Sequence, residues 1–212
     1  MRADLYEWLE TELLELVGLL PEEKISYYRM DKVAAEFMLM RLYLNAEVYT
    51  GTAQWAKAAE YAQKIMNSAY KLHTAGSYDA VNDKNWSAYQ MLFMGDNGEN
   101  GAQCEAILPL LQDGITTTSW GTSLFLMAST FKADMTLVGT ATNNTTEAWA
   151  GNRARPQLVQ KFFPSGNIPL GTTEEILKAA GDDRALFWGI GRTLDVTDVV
   201  DFAKGISVSK FT

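Results

Sequence analysis

Cysteine is nearly missing from this chain. Cys104 is the only one, so no internal disulfide can form, and no second cysteine or closely spaced histidine completes a metal site. A buried, inert thiol is the expectation there. Histidine is equally scarce: His73 stands alone after Leu72 and reads as surface or helix-end packing rather than an acid–base group. Positive charge is in deficit. The formal net charge is −8 and no Lys/Arg cluster interrupts it. Such a surface repels phosphate backbones, so no nucleic acid is expected as a partner. No stretch reaches the roughly 18 apolar residues of a membrane span. The opening Met1-Arg2-Ala3-Asp4-Leu5-Tyr6 is no signal peptide and already reads as the start of a helix.

What is present is enough to fold. The chain has 212 residues, 47% of them apolar and 21% charged. That supports one sizeable core, or a core plus a smaller lobe, and argues against disorder. Leu5, Leu9, Leu13, Val17 and Leu20 recur at helical spacing until Pro21 ends the run. Asp31 is the N-cap of a second helix through Ala34, Ala35, Met38, Leu42 and Ala46 to about Tyr49, broken by Gly51. A third helix carries Trp55, Ala58, Ala59, Ala62 and Ile65. Two such helices joined by a short glycine turn make a helical hairpin, and the small residues Ala46, Ala58 and Ala62 allow close approach. The spacing resembles one tetratricopeptide repeat, although Asn45 and Ala62 depart from its pattern. A single repeat exposes apolar faces that need stacking partners.

Beyond about residue 73 the composition changes to Gly, Asn, Asp, Ser and Thr. Gly95 to Gly101 is a loop. Its Asp96, Asn97, Glu99 and Asn100 cluster like a calcium loop but lack the full spacing, so a solvated turn is favoured. Cys104–Leu111 is a short apolar run, strand or helix, with Pro109 arguing against a central strand. Leu158–Phe163 reads as a short helix stopped by Pro164, and Asp182–Trp188 as a strand. The fold class is mostly α: tetratricopeptide-like helical hairpins over residues 1–73 with an irregular, loop-rich lobe over 74–212.

Several stretches, in order, resemble the RagB/SusD (SusD-like) family. They are Arg2-Ala3-Asp4-Leu5-Tyr6 with its helix to Pro21, and Asp31-Lys32-Val33-Ala34-Ala35 followed by Leu39 to Gly51. In the latter, Met40 replaces the usual small residue. Trp55-Ala56-Lys57-Ala58-Ala59, Leu92-Phe93 with Glu105-Ala106-Ile107-Leu108, Trp149 to Arg153, Gly181-Asp182-Asp183-Arg184-Ala185 and Gly205 to Thr212 continue the match. The resemblance implies a non-catalytic, glycan-binding lipoprotein at the bacterial outer-membrane surface, delivering to a SusC-like TonB-dependent transporter, with no cofactor. It also implies that the chain is a central segment of such a protein, since the lipoprotein signal and flanking helical regions are not in it.

Sugars present C–H-rich faces and hydroxyl edges; aromatic rings stack on the faces, and Asn, Asp, Gln and Arg bond the edges. Gln112 to Trp149 has that composition. Trp120, in Thr118-Ser119-Trp120-Gly121, has no apolar neighbour to bury it and is the stacking candidate, with packing as its alternative. Trp149 and Trp86 are further aromatic candidates; Asp113, Asn143, Asn144 and Arg153 are hydrogen-bonding ones. Trp8 and Trp55 read as scaffold packing, and Trp188 as core. Two other functions compete. A glycoside hydrolase needs two carboxylates across a cleft, and no motif selects a pair. A tetratricopeptide-type protein adaptor would bind a peptide in a concave groove.

Overall fold

The computed structural model of the chain describes residues 1–22, 26–111, 116, 123–130, 132, 134–135, 149, 151–196 and 204–210. Among these the protein is mostly helical, with eight α-helices and two small two-stranded sheets. It forms two compact units: Met1–His73 with Asp96–Asp113, and Thr74–Gly95 with Gly114–Thr212.

The first unit holds α1 (Arg2–Leu19), α2 (Lys32–Leu44), α3 (Ala46–Thr50) and α4 (Trp55–Met66). Asp31 caps α2 as expected, its Oδ1 accepting from the Ala34 N–H at 3.0 Å. The helix read as continuous to Tyr49 breaks at Asn45, whose Nδ2 donates to the Arg41 carbonyl at 2.8 Å. That bond offers the backbone an alternative to the helical ladder. Gly51 then adopts φ +78, a left-handed turn only glycine makes without strain. Tyr6, Leu39, Tyr43, Ala46, Ala58 and Tyr61 form the core. The Tyr43 and Tyr61 rings meet at 5.5 Å. Leu13 and Val17 join this core, whereas Leu5 is exposed, and Tyr6 takes the buried place instead.

Past α4 the chain turns back on the segment after Gly101. Lys71 N–H donates to the Cys104 carbonyl at 3.1 Å, and His73 N–H to Glu105 Oε2 at 2.9 Å. Tyr70 is buried, and its hydroxyl donates to Asp31 Oδ2 at 2.7 Å with the Ile107 carbonyl 3.2 Å away. Burial and the Asp31 charge push its phenol pKa up. The run from Cys104 is neither strand nor α-helix: a 3-10 turn covers Ala102–Cys104 and the rest is irregular. Cys104 is half-buried rather than buried.

The second unit contains β1 (Ser77–Asp79), β2 (Lys84–Trp86), α5 (Ala88–Met91), α6 (Ser123–Thr130), α7 (Pro156–Gln160), α8 (Thr173–Ala180), β3 (Phe187–Trp188) and β4 (Ser207–Val208). β1 pairs antiparallel with β2, and β3 with β4. The strand read over Asp182–Trp188 is therefore two residues long; Asp182–Arg184 form a turn closed by their own ion pair. Thr172 and Glu175 cap α8 reciprocally, and Gly181 closes it in the left-handed region. Val159, Phe163, Ile176, Ala185, Phe187 and Ile206 make the core. Trp188 is buried against Met135, as its sequence context suggested. Beside it Arg192, with a side chain 0% exposed, forks onto Asp134 at 3.0 and 2.8 Å and gives its Nε–H to Ser207 at 3.2 Å.

Two predictions follow from these anchors. Tyr70→Phe is expected to cost about 1–2 kcal/mol in urea unfolding, and Asp31→Ala about 2–3 kcal/mol, because it also removes the α2 cap. Equal costs would show that the cap contributes nothing. Arg192 holds the Asp134 carboxyl at about 2, below its ordinary 3.8. A depressed carboxylate stabilises the fold above pH 4, and the effect fades as pH falls through about 2. Asp134 is half exposed, so the cost of Asp134→Asn is about 1 kcal/mol at pH 6. That cost should vanish near pH 2 in melts of both proteins; a pH-independent cost would refute the linkage.

Candidate functional site

Trp120, Asp113, Asn143 and Asn144 lie outside the described residues. Trp149, Arg153 and Trp86 lie within them, and the structure separates them by environment.

Trp149 is set at the C-terminal end of α6. The last carbonyls of a helix have no partner inside it. Here Ala128 O receives the Trp149 N–H at 2.8 Å, and Ser129 O receives the Asn152 N–H at 2.7 Å. Asn152 Nδ2 adds a 2.8 Å bond to Ser129 Oγ. The backbone that carries Trp149 is thus fastened independently of its ring. That ring meets Phe125 of α6 edge to face, with centroids 5.7 Å apart at 66°. Both remain exposed, Trp149 at 39% and Phe125 at 48%. Two angled aromatic surfaces on a fixed backbone can take the C–H face of a sugar ring. Phe125 was missed in the sequence because it sits in the apolar run Leu124–Met127, which suggests core. The helical period gave no help, because Phe125 shares a face with Ala128 and Ser129, three and four residues on, and both of these are buried.

Arg153 follows on the same segment but is half-buried. Its stem lies against Gly205, where an added Cβ would overlap Arg153 Cδ and stand 2.9 Å from its Cβ. Ala154 N–H continues the anchoring with a 2.8 Å bond to Ile206 O. The stem is structural, while the guanidinium makes no hydrogen bond or ion pair among the described residues and can serve as a donor. Trp86 has less freedom. Lys84 Nζ sits 4.1 Å over its ring, and the same ammonium pairs with Glu174 at 2.7 Å. Its Nε1–H points to Asp79 Oδ2 at 3.4 Å. One face is covered, so Trp86 is a poor stacking platform. By contrast, Trp8 and Trp55, read as packing, are 56% and 61% exposed.

The loop at Asp96 closes on itself. Its carbonyl accepts from the Glu99 and Asn100 N–H groups at 2.8 and 3.0 Å, and its carboxylate from Asn100 Nδ2 at 3.0 Å. Among the described residues no group of three or more His, Cys, Asp or Glu is placed to hold a metal ion. Nor, among them, is any helix long and apolar enough to cross a membrane.

The packing of Arg153 gives a testable consequence. Gly205→Ala is expected to lower stability by about 1–3 kcal/mol through overpacking. Adding Arg153→Ala should recover part of that loss in a double-mutant cycle; strict additivity would show that the two residues do not touch.

Comparison with known proteins agrees with the resemblance. The chain is 36% identical over 242 aligned residues to the starch-binding protein SusD of Bacteroides thetaiotaomicron, covering 99% of this chain and 41% of that protein. No protein-family model matches it. The chain thus spans about two-fifths of the length of the curated relative it matches. With the match running through both units, the chain is a SusD homologue.

Proposed function

We propose that this protein binds glycan without breaking a bond, at the bacterial outer-membrane surface, for delivery to a SusC-like TonB-dependent transporter. The observation that carries the reading is the relationship to a starch-binding protein over 99% of the chain. The exposed Phe125–Trp149 pair supports it with suitable chemistry. In this reading Trp149 and Phe125 stack on a pyranose, and Arg153 bonds a hydroxyl. Trp120, Asp113, Asn143 and Asn144 stay candidates on composition alone. A shallow aromatic contact of this kind is weak by itself and gains from repeated engagement along a polymer. The helices α1 to α4 then act as a tetratricopeptide-like scaffold.

A second reading is a protein adaptor. It is favoured by apolar side chains left exposed on α1 and α4: Leu5, Trp8, Leu19 and Trp55. The two readings use different surfaces and are compatible.

Affinity gel electrophoresis against a polysaccharide panel including amylopectin tests the first. Retardation by at least one glycan is expected, weakened about tenfold in a folded Trp149→Ala protein. A folded wild-type chain retarded by none would refute glycan capture. Retardation unchanged in Trp149→Ala but lost in Trp120→Ala would move the platform to Trp120.

A further inference from the structure

The second unit carries a groove of about 370 Å³ apart from the aromatic pair. Its floor is apolar: Leu158 and Phe162 from α7 and its exit, Leu186 and Phe187 around β3, and Val208 of β4. Its rim is cationic, with Lys161, Arg184 and Lys210 against the single carboxylate of Asp182. This reverses the local charge in a chain whose net charge is −8. Arg184 is held in place by Asp182, through Nε at 2.9 Å and Nη2 at 2.7 Å, which leaves Nη1 outside the pair. Lys161 is exposed and makes no ion pair or side-chain hydrogen bond among the described residues.

The groove does not suit a sugar. Lys210 Nζ covers the Phe93 ring at 4.0 Å and the Tyr89 ring at 4.9 Å. Phe162 stands T-shaped against Phe187 at 5.4 Å. Tyr89, whose hydroxyl also takes the Lys210 ammonium, and Phe162 are engaged in these contacts, while Leu158, 45% exposed, presents aliphatic surface that suits an apolar side chain better than a pyranose face. The volume lies in the range of pre-formed ligand pockets and admits one large side chain with its backbone. The cations at the edge then call for flanking carboxylates.

We propose that this groove docks a peptide segment of another protein, one that sets a large apolar side chain beside Asp or Glu. The site is separate from the glycan platform and stands whether or not that platform binds. The test is fluorescence anisotropy of a dye-labelled peptide, Gly-Asp-Leu-Phe-Glu-Gly, titrated with the whole chain. Saturable binding is expected, falling at least about fivefold between roughly 50 and 300 mM salt. The amide peptide Gly-Asn-Leu-Phe-Gln-Gly should bind about tenfold more weakly, as should the acidic peptide to Lys161→Glu or Leu158→Ser. Both substitutions are at exposed positions, and circular dichroism checks that they fold. Absence of saturable binding, equal binding of the amide peptide, or undiminished binding by both variants overturns the proposal. Binding of trigalacturonic acid in place of the peptide would make this an acidic-sugar site and overturn it equally.

Discussion

The first unit depends on one buried carboxylate. Asp31, 1% exposed, uses one oxygen to cap α2 and the other to receive the Tyr70 hydroxyl. A buried charge is costly unless it is paired or fully hydrogen-bonded. Here it draws the start of α2, the exit of α4 and the segment after Gly101 to one point, because Tyr70 also reaches the Ile107 carbonyl. The segment 102–107 has no regular structure beyond one 3-10 turn, so this bond and the pairings of Lys71 and His73 hold it. A local capping signal thereby becomes a long-range tie.

The second unit solves the same problem with a cation. Its described elements are short, and side chains reach between them. Arg192 is the clearest case: its planar fork spans Asp134 and Ser207, fixing the 134 turn against β4. The main-chain bonds from Trp149, Asn152 and Ala154 do the same for the segment after α6.

How much of this was legible follows from where each signal resides. Asp31, Gly51, Gly181 and the ends of α1 and α4 were readable, or nearly so, because caps and breakers act within a few residues. The burial of Trp188 was also readable, since Leu186 and Phe187 precede it and all three are buried. What failed was exposure on helices. Trp8 and Trp55 lie at helical positions that look apolar, yet the inner places go to Tyr6, Ala58 and Tyr61. Periodicity tells which residues share a face, not which of two apolar faces meets the core. The covering of one Trp86 face was not read either: Lys84 is two residues away along the strand, hence on the same face, and lies over the ring. Phe125 was hidden by its apolar neighbours, and four candidates lie outside the described residues.

These failures bear on how a binding surface is built on such a scaffold. An aromatic ring is useful to a ligand only if something other than the ring holds its backbone. Trp149 meets that condition, because its anchor is an N–H bonded to a helix-end carbonyl and would persist with another side chain. Trp86 also has its backbone held, by the pairing of β2 with β1, but its ring is tied into a local network with Lys84 and Asp79. Arg153 divides the two roles within one side chain, with a stem packed on Gly205 and a head left over for hydrogen bonding. A surface made this way can change its rings without disturbing the fold beneath. That is a physical reason for a framework with an anchored main chain to tolerate changes in the aromatic side chains it presents.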